Sequence, residues 1–300
     1  MLLPLHNIKG RDRVAERKGH IWTADKLEFL TLYLPAFQLA CKRFRDKETG
    51  RTNTYYVDGF SGPGQNIIDG QLRDGSPLIA LRTTPTFTRY FLTERKRVNV
   101  RALETHLSVQ PDLLALKDRT EVRYGDFNVE IDSILSRLPP NLPTFFFLDP
   151  EGLELDWETV RKIGLRPKAD LFILISGSGV VRCAGSPDHP ADASATLRVN
   201  RFYGHDQWLS AIQDINLNTP AGRKKFEAAV DLYLEGLRGI GFTHVKQFLV
   251  ATNSRGSSLH ALVFAAKNET AIKIAGQVLA KIQNNRNGQT GLFSQRTGEG

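Results

Sequence analysis

Two stretches of the chain, Thr144-Phe-Phe-Phe-Leu148 and Leu171-Phe-Ile-Leu-Ile175, are apolar at nearly every position. A strand with one wet face alternates apolar and polar residues, so continuous runs of this kind need cover on both faces. Helices give that cover in chains that alternate strand with helix, and the surrounding sequence alternates in that way. Further short apolar runs stand at Tyr55–Asp58, Arg89–Thr93, Glu121–Tyr124, Lys246–Val250 and Leu259–Ala265. Only Ala251 to Ser258 separate the last two, too short a link for a helical crossover, so these two form an antiparallel hairpin. The expectation is an α/β fold: a seven-stranded, mostly parallel sheet with its last strand antiparallel and helices on both faces.

Helix signals fill the gaps. Leu27, Leu30, Leu34 and Phe37 recur at helical spacing within Trp22–Ala40, with Pro35 as a point of kinking. Ser76-Pro77 reads as an N-cap followed by proline at the first helical position, and Thr219-Pro220 repeats the signal before a helix carrying Phe226, Val230, Leu234 and Leu237. Asn268 to Thr270 caps a last helix through Ile282, and 289–300 reads as a loose tail. No repeat of the solenoid type is present. The chain is thus read as one domain over 1–300. Its additions are a basic arm and helix over 1–45, a helical insertion over 180–240 before the sixth strand, and the tail.

Composition narrows the function classes. No apolar run reaches the roughly 18 residues of a membrane span, and Met1–Leu5 is too short for a signal core, so a cytoplasmic protein without membrane contact is expected. Two cysteines, Cys41 and Cys183, are too few for a disulfide framework or a four-thiolate zinc site. The seven histidines show no pair at metal-ligand spacing, so no metal is expected. Lys and Arg number 40 against 32 Asp and Glu, a net charge of +8 that permits a polyanionic partner. Lys9, Arg11, Arg13, Arg17 and Lys18, interrupted by Asp12 and Glu16, form either a solvated arm or a nucleic-acid contact.

In doubly wound sheets the ligand sits beyond the carboxyl ends of the strands. There the chain reads Tyr56-Val57-Asp58-Gly59-Phe60-Ser61-Gly62-Pro63-Gly64, then Phe91-Leu92-Thr93-Glu94, Gly125-Asp126-Phe127, and Phe147-Leu148-Asp149-Pro150-Glu151-Gly152. A dinucleotide fingerprint starting at Gly62 would need glycine where Ile67 stands. A hydrolase nucleophile elbow centred on Ser61 would need glycine where Pro63 stands. No Gly-x-x-x-x-Gly-Lys sequence follows to make a P-loop. A carboxylate such as Glu94, ending the second strand, suits the paired hydroxyls of a ribose.

The pattern Asp-x-Phe-x-Gly-x-Gly from Asp58 to Gly64 resembles the first motif of S-adenosylmethionine-dependent methyltransferases, particularly those acting on nucleic acids. With Gly75-Ser76-Pro77-Leu78 and Phe147 to Gly152, it is similar to the three-Cys-motif partner family, prokaryotic methyltransferase-like proteins encoded beside a cysteine-motif protein. Trp22 to Leu34, Arg201 to Trp208 and the 259–266 strand carry the likeness over most of the chain.

The resemblance implies a Rossmann-like methyltransferase domain that binds S-adenosylmethionine. Asp58, Gly59, Phe60, Gly62, Gly64 and Glu94 would hold it, and Asp126 and Phe127 would meet its adenine. His20 and Trp22, just ahead of the first helix, either fold over the cofactor or form a hydrophobic staple. Asp149-Pro150 is similar to the Asp/Asn-Pro-Pro-aromatic loop that receives a target amine in nucleic-acid amino-methyltransferases. Here the second proline and the aromatic are missing; Phe127, Trp157 or Tyr203 could stand in for the ring, and Glu151 offers a second carboxylate. Arg182, just past the fifth strand, is placed to meet a phosphate. The alternative is a non-catalytic S-adenosylmethionine-binding adaptor of the cysteine-motif partner.

Overall fold

A computed structural model describes residues 17–19, 21–68, 70–185, 192–213, 221–252 and 258–294. The first half of the chain forms β1 (Arg17–Gly19), α1 (Ile21–Ala40), β2 (Tyr55–Asp58), β3 (Gln65–Ile68), β4 (Gln71–Asp74), α2 (Ser76–Arg82), β5 (Arg89–Glu94), α3 (Arg97–Val109), β6 (Thr120–Tyr124) and α4 (Phe127–Ser136). The second half forms β7 (Thr144–Leu148), α5 (Trp157–Gly164), β8 (Ala169–Ile175), α6 (Gly177–Cys183), α7 (Ala193–Tyr203), α8 (Trp208–Gln213), α9 (Ala221–Gly239), β9 (His244–Thr252), β10 (Ser258–Ala266) and α10 (Glu269–Ser294).

Seven strands make the main sheet in the order β6-β5-β2-β7-β8-β10-β9. The pairings β2–β5, β2–β7, β5–β6 and β7–β8 are parallel, and β10 runs antiparallel to both β8 and β9. The chain starts at β2, winds outward to β6, then returns to β7 on the other side. That reversal leaves a crevice at the carboxyl ends of β2 and β7. Strand order and the single reversed strand make this the Rossmann-like methyltransferase fold.

The apolar runs behave as their composition requires. In β7, Phe146 and Leu148 enter one core while Phe145 and Phe147 enter the other. In β8, Leu171, Ile173 and Ile175 face the first core and Phe172 and Leu174 the second. Helices α4, α5 and α7 to α9 cover the first face; α1, α2 and α10 cover the second. The second core is aromatic: Phe29 of α1 stacks on Phe172 at 4.5 Å, and Tyr33 meets Phe145 at 5.4 Å. Such pairs add roughly 0.5–1.5 kcal/mol each beyond their buried area.

Three local expectations change. Ser76 is the first residue of α2 rather than its cap; extended Gly75 takes the cap position, and the Ser76 hydroxyl bonds Asp58 instead. Gln65–Ile68 and Gln71–Asp74 pair antiparallel as the hairpin β3–β4, with Gly70 at φ +75° before the second strand, and β1 pairs parallel with β3. Arg17 and Lys18 therefore sit in a strand, opposite Asn66 and Ile67, and not in a free arm. The last helix, with Ala271 N–H donating to Asn268 Oδ1 at 3.0 Å, runs on to Ser294 through part of the stretch read as a loose tail. The Thr219-Pro220 signal lies outside the described residues, just ahead of α9.

Candidate functional site

The loop after β2 is built around a buried acid. Asp58 has no exposed surface; its carboxylate accepts from Phe60 N–H at 3.1 Å and from the Tyr56 hydroxyl at 3.2 Å. Loss of solvent pushes its pKa up to about 7 against those hydrogen bonds. Asp58 thus shapes the loop from beneath and does not line the crevice. Gly59 is needed where it stands, because a Cβ there would lie 2.8 Å from Leu148 and from Phe127. Gly62 is needed for its backbone, at φ +63°.

Glu94, ending β5, locks that loop to the next helix. One carboxylate oxygen accepts from Gly62 N–H at 2.9 Å and the other from Lys96 N–H at 2.6 Å. At the end of β6, Asp126 caps α4 by accepting from Asn128 N–H at 2.9 Å. The next residue, Phe127, is buried and its ring lies 6.1 Å from that of Phe60. Gly59, Phe60, Gly62, Glu94, Asp126 and Phe127 all line one partly open cavity with Asp149 and Glu151. Two ion pairs join the loop after β5 to the loop after β7 at this cavity: Lys96–Glu151 at 3.1 Å and Arg95–Glu154 at 2.6 Å.

Asp149, at the end of β7, is only 6% exposed. Its Oδ2 accepts from Nζ of Lys26, a lysine of α1 that is itself 3% exposed. Its Oδ1 is buried and has no hydrogen-bond partner among the described residues. His260 precedes Ala261, which pairs with Ile175 at the carboxyl end of β8, so the imidazole belongs to the same end of the sheet. Burial pulls the His260 pKa down; Asp149 acts against that shift, and Lys26 and Arg182 add to it.

Other residues singled out in the sequence fall elsewhere. Gly64, at φ +94°, turns toward Leu103 and His106 of α3, where a Cβ would lie 3.0 Å from the imidazole. Pro150 is buried between Asp149 and Glu151. Trp157 starts α5 and packs edge-on against Tyr233 at 5.2 Å and over Gly204 and Gly236, so it ties the insertion helices to the sheet. Tyr203 is likewise structural, its hydroxyl donating to Ala229 O at 2.6 Å. Of the three rings considered as stand-ins, only Phe127 reaches the cavity. Arg182 is exposed on α6 and donates to Ser178 Oγ at 3.3 Å. His20, Arg11 and Arg13 lie outside the described residues, as do the side chains of Arg17 and Lys18.

Sequence reasoning missed Lys26, His260 and the pairs made by Arg95 and Lys96. The one available signal was position. Lys26 sits amid Asp25, Leu27, Phe29 and Leu30, all buried, on a helix with apolar residues around most of its circumference. Among the described residues no group of three or more His, Cys, Asp or Glu is arranged to hold a metal ion, and no helix is long and apolar enough to cross a membrane.

No family model matches the chain, and no curated protein matches it. Solved structures do. Protein LPL1258 of Legionella pneumophila aligns with TM-score 0.49 and 12% identity over 87% of this chain and 91% of its own. The methyltransferase domain of a bacterial CtHen1-C aligns with TM-score 0.38 and 12% identity over 80% and 100%. A mutant of the 16S rRNA (adenine(1408)-N(1))-methyltransferase of Catenulisporales acidiphilia aligns with TM-score 0.33 and 12% identity over 78% and 92%. None of these likenesses bears on a residue of the site, and the fold assignment rests on strand order and direction.

Proposed function

We propose that this protein is an S-adenosylmethionine-dependent methyltransferase acting on nucleic acid or a molecule associated with it. The observation that carries the reading is Asp149, whose buried Oδ1 has no hydrogen-bond partner among the described residues, lining one cavity with Gly59, Phe60, Gly62, Glu94, Asp126 and Phe127. A buried acceptor without a donor is costly, and a bound molecule that donates to it removes the cost.

The residues fit the cofactor. Glu94 offers carboxylate oxygens to ribose hydroxyls, Phe60 and Phe127 offer apolar surface to a purine, and Asp126 offers an acceptor to its amine. Gly59 and Gly62 keep the approach clear of side chains. The pairs Lys96–Glu151 and Arg95–Glu154 border the cavity. When bound, the cofactor supplies an electrophilic methyl group on a sulfonium. Asp149 then orients the acceptor, and most of the rate comes from that positioning. The net charge of +8, with Lys9, Arg11, Arg13, Arg17 and Lys18 near the start of the chain, supports a polyanionic partner.

A second reading is favoured by the Lys26–Asp149 pair. A carboxylate already engaged by a buried cation suits a cofactor-binding adaptor of a three-Cys-motif protein that does not turn over. Calorimetric titration with S-adenosylmethionine, S-adenosylhomocysteine and NAD tests cofactor binding, with the first two expected to bind. Labelled methyl transfer into RNA, DNA and the partner protein then separates enzyme from adaptor. Binding without label in any of them would leave the adaptor.

A further inference from the structure

We propose that the amino end of the sheet carries a second ligand site, which takes a nucleotide whose base donates to Asp170 and whose phosphate meets Arg43 and Lys168. This site is separate from the cavity at the carboxyl end and does not depend on the methyltransferase reading.

Opposite charges that face one cavity without pairing carry the argument. A cavity of about 240 Å³ opens between the end of α1, the start of β8 and the start of α10. Asp170, only 6% exposed, lines it. The Tyr33 hydroxyl donates to its Oδ2 at 3.2 Å, and among the described residues no other hydrogen bond and no ion pair reaches the carboxyl. Loss of solvent raises its pKa to about 7, so near pH 8 it is mostly ionised. An ionised carboxylate is acceptor-only and has room for more than one donor.

Three cations line the same cavity, and none bonds Asp170. Lys267 is engaged elsewhere, its Nζ donating to Gly164 O and lying 5.6 Å from the centre of the Phe242 ring. Arg43 and Lys168 are exposed and make no ion pair among the described residues. Lys42, Arg45, Lys47 and Arg51 around them are exposed and without an ion pair in the same sense. Such a surface draws in anions. α10 begins at the cavity wall with Thr270 and Ala271, and its amino terminus adds partial positive charge.

The ligand follows by exclusion. A cation would suit Asp170 but is repelled by Arg43 and Lys168. Inorganic phosphate suits the two cations but leaves the carboxylate without a donor and repels it. An organic anion with N–H donors at the far end of an apolar body serves both. Phe37, Phe44 and Ile274 supply apolar walls, and the Arg43 guanidinium lies 4.9 Å from the centre of the Phe44 ring, a cation–aromatic pair suited to the flat face of a base. A nucleotide has this build: N–H donors on the base edge, two flat faces, and a phosphate beyond the sugar.

The test titrates the full chain near pH 8 with the ribonucleoside 5′-monophosphates, the matching nucleosides and inorganic phosphate. At least one monophosphate should bind, roughly tenfold or more tighter than its nucleoside or phosphate alone, and S-adenosylhomocysteine should not displace it. Asp170→Asn keeps the shape and removes the charge. It should lower that affinity roughly ten- to a hundred-fold, the loss of one charge-assisted hydrogen bond. Arg43→Gln/Lys168→Gln changes two exposed side chains outside the core and should weaken the monophosphate but not the nucleoside. No binding of any monophosphate overturns the proposal. Displacement by S-adenosylhomocysteine also overturns it, by placing the nucleotide at the carboxyl end. Equal affinity in wild type and both variants, or inorganic phosphate binding as tightly as the nucleotide, would make this end of the sheet a general anion-attracting surface and overturn it too.

Discussion

Asp149 and Asp170 are the same residue type, similarly buried at 6% exposure, at opposite ends of neighbouring strands, yet they have different partners. Asp149 follows the carboxyl end of β7 and is paired with Lys26. Asp170 lies at the amino end of β8, where the Tyr33 hydroxyl donates to it at 3.2 Å and, among the described residues, no ion pair reaches it. Loss of solvent therefore pushes the Asp170 pKa up to about 7. A cavity of about 240 Å³ with Arg43, Lys168 and Lys267 at its walls borders Asp170, but none of these bonds the carboxylate. The amino end can shed its charge by taking a proton. The carboxyl end holds a charge in place with a second charge, a more expensive arrangement than an apolar one of equal volume. The expense is repaid only by something that uses the charge, which is why the two ends should respond differently to the same substitutions.

The largest difference is expected in turnover. Asp149→Asn should reduce methyl transfer to background, a loss of roughly a hundred-fold or more, with cofactor affinity changed no more than a few-fold. Asp149→Ala should do the same and also lower stability by about 3–5 kcal/mol, because the buried Lys26 ammonium loses its carboxylate partner. Asp170→Asn should leave transfer at the wild-type level. Equal losses at both positions would mean that the Asp149 effect is a stability effect, and the contrast between the two ends would fail.

The next difference is in the pH dependence of folding. Asp170 titrates near its ordinary value of 3.8 when unfolded and at about 7 when folded. Between those limits the native state binds more protons, so stability is greatest below 3.8, falls as pH rises through about 7, and is flat above it. A shift of this size is worth on the order of 4 kcal/mol. Asp58, also raised to about 7, adds a slope of the same sign. Asp170→Asn should therefore be more stable than wild type at pH 8 and should lose about half of the decline between pH 5 and pH 8. Urea unfolding at several pH values measures both. A wild-type slope that Asp170→Asn does not change would show that this carboxyl does not shed its charge.

Much of the fold was legible before the structure was known, and the unreadable part has a physical pattern. The uninterrupted Phe145-Phe146-Phe147 and Phe172 to Ile175 runs admit no one-sided sheet, and the short Ala251 to Ser258 link admits no crossover. Asp58, Glu94, Asp126 and Asp149 could be aligned because strand ends recur at predictable places in an alternating chain. Lys26 could not, since its importance comes from a partner 123 positions away. The hairpin of Gln65–Ile68 and Gln71–Asp74 was hidden by polar residues at five of its eight strand positions and by its four-residue strands. Trp157 misled for the opposite reason: an aromatic near the right loop is explained equally well by packing, and Gly204, Gly236 and Tyr233 supply that packing.

A smaller effect separates the ends through ligand affinity. Glu94→Ala removes the acceptor proposed for ribose hydroxyls and also releases the Gly62 and Lys96 N–H groups. A charge-assisted hydrogen bond is worth about 1.5–3 kcal/mol, so affinity for S-adenosylmethionine should fall roughly ten- to a hundred-fold. Glu94→Gln keeps one oxygen acceptor and should lose less. Tyr33→Phe, which cuts the hydrogen bond to Asp170 at the other end, should leave affinity unchanged. Calorimetry on the three variants decides, and an unchanged affinity in folded Glu94→Ala would remove this residue from the cofactor site.

The smallest effect concerns the two exposed ion pairs at the mouth of the cavity. Arg95 and Lys96 are more than half exposed, as is Glu151, and pairs of this kind contribute about 0–1 kcal/mol each. They tie the loop after β5 to the loop after β7, and the reading tested is that an entering nucleoside separates them. Arg95→Gln/Lys96→Gln should therefore bind S-adenosylhomocysteine a few-fold more tightly than wild type, since the ligand no longer breaks both pairs; 1.4 kcal/mol would be tenfold. Added salt screens exposed pairs, so wild-type affinity should rise modestly between low and high ionic strength while that of the double variant stays flat. Lys96 keeps its backbone N–H to Glu94 in the variant, so the glycine loop is not disturbed. The matching substitution at the amino end, Lys168→Gln, borders the other cavity and should alter neither affinity nor its salt dependence. If wild type and the double variant bind with the same strength at every salt concentration, the pairs do not close the mouth. Entry would then have to come from movement of the glycine loop itself, against the Glu94 hydrogen bonds.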